Sequence, residues 1–387
     1  MKISTDRILT THVGSLPRPR PLIDLILAKE QGREFSEAEF EAQVAKAVDD
    51  IVAQQVKCGV DIVNDGEISK PSYTMYVRHR VSGIKMDERA AVKGRDIMIS
   101  RDSLAHPDLP GATAKFGNIP FPGCVGPVSY TDRAPLERDP KNLKHAVERS
   151  KPVETFMTAP SPGILTRFVI NLHYPTEQAY VEALGETMKT EYEAITGAGF
   201  LLQIDAPDLG SARNNQYRHL SDDEFLKIAE RNIEVLNHAT ARIPPDRMRL
   251  HICWGNYVGP HSFDIELSKI IGVCLKARPQ ALSFEGANPR HEHEWEDLHA
   301  AKIPDDKILI PGTIDSTSNF VEHPRLIAQR IGHYTDIVGR ERVIAGGDCG
   351  FGTFVSSGPP MVADSIVWAK FNALAEGARI ASQKLWK

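Results

Sequence analysis

"TEQAYVEALGETMKTEYEAITGAG" (176–199) runs directly into "FLLQID" (200–205), and this junction decides the fold. The first stretch places apolar residues at three- and four-residue intervals and stops at glycine, the pattern of an amphipathic helix with a glycine end. The second is a short, continuously apolar run that closes on an acid, as expected of a strand buried on both faces. Together they make one helix-to-strand step of an α/β fold.

Outward from this junction the same step recurs. Strand-like runs lie near "RILTTHV" (7–13), "DIVND" (61–65), "VETFMT" (153–158), "MRLHIC" (248–253), "ALSFE" (281–285), "KILIPG" (307–312) and "RVIAGG" (342–347), which with 200–205 makes eight. Amphipathic stretches such as "SEAEFEAQVAKAVDDIVAQQVKCG" (36–59) separate them. A parallel sheet covered by helices follows, and the count favours a (β/α)8 TIM barrel over an open doubly wound sheet. One domain over residues 1–387 is expected. The Arg-, Asp-, Pro- and Gly-rich segment 81–150 breaks the rhythm and reads as an irregular insertion after the second strand, with a small hairpin over one end of the barrel.

The chain has 387 residues, 41% hydrophobic and 25% charged, with a net charge of −5. This is ordinary globular composition, with no general attraction for nucleic acid or an anionic membrane. The N-terminal residues lack the apolar core of a secretion signal, and no run approaches the roughly 20 apolar residues of a membrane span. A cytoplasmic protein acting on small molecules is expected. Five scattered cysteines are a poor disulfide framework and suit a reducing compartment.

Barrels of this type gather functional groups at the C-terminal ends of their strands. Seven of the eight ends carry Gly14-Ser15, Asn64-Asp65-Gly66-Glu67, Asp205, His251 and Cys253, Glu285, Asp315, and Asp348-Cys349. On a strand, His251 and Cys253 face the same way while Ile252 faces outward to pack. Cys349 and Glu285 can reach the same space, and one imidazole, two thiolates and one carboxylate suit Zn2+. Each cysteine alone reads as a small core residue; their joint placement is the signal. In "HEHEW" (291–295), Asn288 caps a helix, so His291 and His293 read as its solvated first turn. Arg78 and Arg80 in "SYTMYVRHR" (72–80) are available for an anionic group or as solvated helix charges. The apolar stripe of "DSIVWAKFNALAEGARIASQKLW" (364–386) reads as barrel packing.

"TTHVGSLPRP", "NDGE", "QIDAP", "HICWGN", "SFE" and "GGDCGFGT" resemble, in order and approximate spacing, the catalytic C-terminal barrel of cobalamin-independent methionine synthase. The resemblance implies zinc on His251, Cys253, Glu285 and Cys349, binding and activating the thiol of homocysteine for alkylation. It also implies that Ser15, Glu67 and Asp205 hold the amino-acid part of homocysteine. Two positions depart from the family pattern: Thr166 stands where a tryptophan contacts the folate, and Thr317 stands where a histidine serves proton delivery. The expected partners are a small-molecule thiol and an alkyl donor whose identity stays open. A sister group in the same superfamily, the epoxyalkane:coenzyme M transferases, makes thiol addition or C–O cleavage at the same zinc an alternative. A metal-free decarboxylase-like barrel with structural cysteines is a further one.

Overall fold

The computed structural model describes residues 1–109 and 121–387. All eight expected strands form: β1 (Leu9–Thr10), β2 (Ile62–Val63), β3 (Glu154–Pro160), β4 (Leu201–Asp205), β5 (Met248–Ile252), β6 (Ala281–Phe284), β7 (Ile308–Ile314) and β8 (Ile344–Gly347). They share one sheet in the order β1-β8-β7-β6-β5-β4-β3-β2. A parallel bridge between Thr11 and Ile62 joins its two ends, closing a (β/α)8 barrel.

Strand alternation divides the barrel interior into levels. Leu9, Ile62, Phe156, Leu201, Ile308 and Ile344 meet in an apolar floor. Two residues further along, Gln203 is in register with Arg249. Arg249 donates to Thr11 Oγ1 at 2.9 Å and to the His12 carbonyl at 2.7 Å, with its guanidinium over the Phe156 ring. The next step brings Asp205 beside His251 and His251 beside Ser283. The interior thus passes from apolar to polar toward the C-terminal ends, and the same register that packs the floor aligns the polar side chains above it.

The outer layer forms for reasons legible in its sequence. Ser36 caps the helix Glu37–Lys57, which buries Phe40, Val44, Val48 and Val52. Thr176 caps Glu177–Gly197, and Ser221 with Glu224 makes a capping box for Asp222–Ala239. The C-terminal helix Asp364–Leu385 buries Val367, Phe371, Leu374 and Ala378 against Pro324–Val338 and the barrel, so its apolar stripe is packing.

Residues 81–150 are more regular than their composition suggests. In place of the expected small hairpin, strands Ile84–Met86 and Pro122–Cys124 pair antiparallel across a long helix-bearing connection, and the latter also pairs with Ile170–Asn171 in a three-stranded sheet. Among its described residues the segment also forms helices Glu88–Met98, Arg101–Ala105 and Ala134–Ser150. The first buries Ala90, Gly94 and Met98, so small residues carry most of its inner face and the helix as a whole is low in hydrophobic residues. Phe121 lies where a Gly94 side chain would stand. Ala134–Ser150 packs on Glu37–Lys57 and so joins the barrel's outer layer.

Candidate active site

His251 is the last residue but one of β5, Cys253 follows the strand directly, and both face the barrel mouth with Cys349 from beyond β8. The ligand atoms of these three buried residues lie within 4.8 Å of one another. His251 Nε2 is 3.8 Å from Cys349 Sγ, while its Nδ1 is 3.2 Å from Ser283 Oγ. That second contact fixes the ring and turns Nε2 toward the thiols. Glu285 stands at the edge of the trio, with Oε1 3.9 Å from Cys349 Sγ. Its oxygens accept from the Trp254 amide and from Asn288 Nδ2, each at 2.7 Å. Asp348 accepts from the amides of Gly286, Ala287 and Asn288, fastening the loop that carries Glu285 to the end of β8.

The electrostatics of this cluster favour neutral groups. Burial, with Arg249 adding to it, lowers His251 to about 3. The contact with Cys253, then burial and the charges of Glu285 and Asp348, pushes the Cys349 thiol well up. Burial also raises Glu285. Imidazole, two thiols and a neighbouring carboxylate, all short of positive charge, are a donor set that a borderline-soft divalent cation fits, and zinc suits it best.

Ser15, Glu67 and Asp205 line the same cavity of about 190 Å³ as His251, Cys253 and Cys349, a size that fits a small molecule. Asn64 and Asp65 accept from the Gly66 and Glu67 amides, and Glu67 adopts a left-handed φ of 55° that commits it to this turn. Glu67 Oε1 accepts from Thr158 Oγ1 at 2.9 Å, whereas its buried Oε2 has no partner among the described residues. Burial and then the charge of Glu67 raise Asp205 well above the usual carboxylate range. An ammonium group would relieve both carboxylates. The Ser15 hydroxyl accepts from the Gly352 amide at 3.3 Å.

Other expected residues lie elsewhere. Arg80 is buried in ion pairs with Asp139 and Glu191, and Arg78 pairs with Glu30, so neither is free for a substrate anion. Thr166 bonds the Gly163 carbonyl and Thr317 bonds Asp315; neither lines the cavity. His293 is exposed as expected, but His291 is 2% exposed, a correction to the solvated-turn reading. It is drawn inward by Asp264 and Glu294 and stacks on Trp254. The inserted segment supplies Met98, Ser100, Asp102 and Ser103 to the cavity wall. Asp102 accepts from Asn214, Tyr257 and the Ser262 amide, tying that segment to the loops after β4 and β5. Tyr73 of "SYTMYVRHR" (72–80) also lines the cavity, together with Arg167 and Phe354, which the sequence did not single out. The available signal was Arg167 itself, a cation in the otherwise uncharged "SPGILTRF" (161–168) just past a strand end.

Fold and site together define a class: a (β/α)8 barrel with a histidine–cysteine cluster and a carboxylate pair in one mouth. Residues 8–114 match the family described as "Cobalamin-independent synthase, Catalytic domain", and the resemblance to cobalamin-independent methionine synthases is thereby borne out. The chain is 22% identical over 380 residues to a methionine synthase of Saccharolobus solfataricus, covering 97% of this chain and 95% of that one. It is 23% identical over 345 residues to a methionine synthase of Thermococcus kodakarensis, covering 88% and 86%. A B12-independent methionine synthase from Shewanella sp. W3-18-1, solved in complex with selenomethionine, superposes with a TM-score of 0.72 at 18% identity, covering 98% and 99%. That last likeness supports the fold.

Proposed function

We propose that this protein is a cytoplasmic, zinc-dependent methyl- or alkyltransferase that alkylates the sulfur of a small amino thiol, homocysteine first. The observation that carries the reading is the meeting of His251, Cys253 and Cys349 in one cavity with the under-compensated pair Glu67 and Asp205. His251, Cys253 and Cys349 would hold the ion, with Glu285 at its edge. Zinc there supplies the charge that keeps a thiol, ordinarily near pKa ~8.5, deprotonated at neutral pH without losing its nucleophilicity. Glu67 and Asp205 receive the ammonium, and Ser15 with nearby backbone amides receives the carboxylate. Met98, Ser103 and Trp254 close the walls and limit water, so that the two substrates meet in line. Absence of any membrane-spanning helix among the described residues, and five free cysteines, agree with this setting.

The carboxylate pair favours an amino thiol over coenzyme M, which has a sulfonate and no amine. The test is to assay metal content in protein purified without added zinc, then incubate it with homocysteine against methyl-folate, methylcobalamin and an epoxide. Near-stoichiometric zinc and S-alkylated homocysteine with one donor are expected. Activity intact below a tenth of an equivalent of metal would sink the zinc reading in favour of a metal-free barrel.

A further inference from the structure

Arg167 is 7% exposed and lines the cavity, yet it makes no ion pair among the described residues. Its Nη1 donates to Ser211 Oγ at 2.8 Å, and its Nε has no partner there. Residues 110–120, "PGATAKFGNIP", contain no acid that could complete it. Burial accordingly lowers this guanidinium from its usual range. A buried cation left without an anion is costly, and at the wall of a ligand cavity it marks where an anion of the ligand goes.

Its surroundings indicate which ligand. Ser211, which holds Arg167, is bonded through its own amide to the Cys253 carbonyl at 3.1 Å, so the guanidinium stands next to the reacting centre proposed above. Beside it, Tyr73, Phe168 and Phe354 form a cluster with ring centroids 5.9 to 6.3 Å apart, and Phe354 is half exposed. The amino thiol already has Glu67, Asp205 and Ser15 for its own charges. We infer that Arg167 anchors an oxyanion of the second substrate, so that the alkyl donor is an anionic molecule with an apolar or aromatic body lying on Tyr73, Phe168 and Phe354. This inference rests on the transferase reading.

The test uses the zinc-loaded full chain and calorimetric titration with phenylacetate and its neutral counterpart phenylacetamide, with homocysteine saturating. Wild type should favour phenylacetate by about tenfold, Arg167→Gln should bring the ratio near one, and Arg167→Lys should fall between. Homocysteine affinity should be unchanged in both variants. The thermal midpoint of Arg167→Gln should hold or rise, because an unpaired buried charge has been removed; a structural arginine would lower it. A ratio of one or no binding in wild type, or a preference kept in Arg167→Gln, would overturn the anchor. If Arg167→Gln weakens homocysteine or coenzyme M instead, the anion belongs to the thiol and the donor assignment fails. Failure of homocysteine to bind wild type would defeat the transferase reading, while the phenylacetate ratio, measured without homocysteine, would still judge the oxyanion site.

Discussion

Two trios of ligand-type side chains sit on neighbouring parts of the barrel mouth: the buried His251, Cys253 and Cys349, and His261, Asp264 and His291, of which His261 is partly exposed. In each, the donor atoms lie within 4.8 Å of one another. In the second trio, His261 places Nδ1 2.6 Å from Asp264 and Nε2 3.2 Å from the Tyr257 carbonyl. His291 places Nδ1 2.9 Å from Glu294 and Nε2 3.3 Å from Asp264. Every one of these partners is an acceptor, so both rings donate twice, are cationic, and keep no lone pair for a metal. In the first trio, His251 has one nitrogen engaged by Ser283 and the other facing thiols. Spacing alone would call both trios metal sites; lone pairs aimed at one shared point distinguish the first, and a closed ion network explains the second. The second also has work to do, because His291 stacks on Trp254 at 4.3 Å, whose amide holds Glu285.

The comparison breaks first at the cysteines. Cys253→Ser or Cys349→Ser should remove zinc and lower alkyl transfer by on the order of 10³-fold, while the fold is retained. Equal metal content and turnover in both variants would reduce the first trio to packing. Asp264→Asn should do the reverse. Removing the shared acceptor of two imidazolium rings should cost about 3 to 5 kcal/mol of stability in denaturant unfolding. Zinc stoichiometry at low temperature should stay unchanged; loss of a bound metal equivalent would show that the second trio is a site after all. A smaller effect is expected of Ser283→Ala, which frees the His251 ring without removing a ligand. Zinc affinity, read by chelator competition, should fall about 10- to 100-fold.

The eight strands were legible because each is a short, mostly apolar run set between helical stretches, and the main helices because Ser36, Thr176 and Ser221 announce their starts. The site was legible because residues two apart on a strand must share a face, which sets His251 with Cys253 whatever surrounds them. What alternation cannot reveal is which groups stand opposite. Arg80 is neutralised by Asp139 and Glu191, 59 and 111 residues away, and His291 is buried through an Asp264 27 residues back, from another loop. Arg167 shows the same limit inverted: its meaning lies in the carboxylate that the fold does not bring to it. The helix Glu88–Met98 was hidden because its charged residues outweigh a buried face made largely of Gly94 and Ala90, which leaves the stretch low in hydrophobic residues.

The mildest test separates the trios by proton. Burial opposes charge on His291, but hydrogen bonds to Asp264 and Glu294 outweigh it and raise the ring from 6.5 to about 10. Between those values the folded chain holds a proton that the unfolded chain has released, so stability from this ring is full below pH ~6.5 and is lost as pH rises toward 10. His251 runs the other way. Its ring, lowered to about 3, stays neutral when folded, so it weakens the fold as pH falls below ~6.5. In chelator-treated protein, the difference in thermal midpoint between wild type and His291→Gln should therefore be greatest near pH 6 and shrink by several degrees by about pH 10. A difference that stays constant over that range would mean that His291 is neutral in the fold, with a lone pair to spare, and the contrast between the two trios would fail.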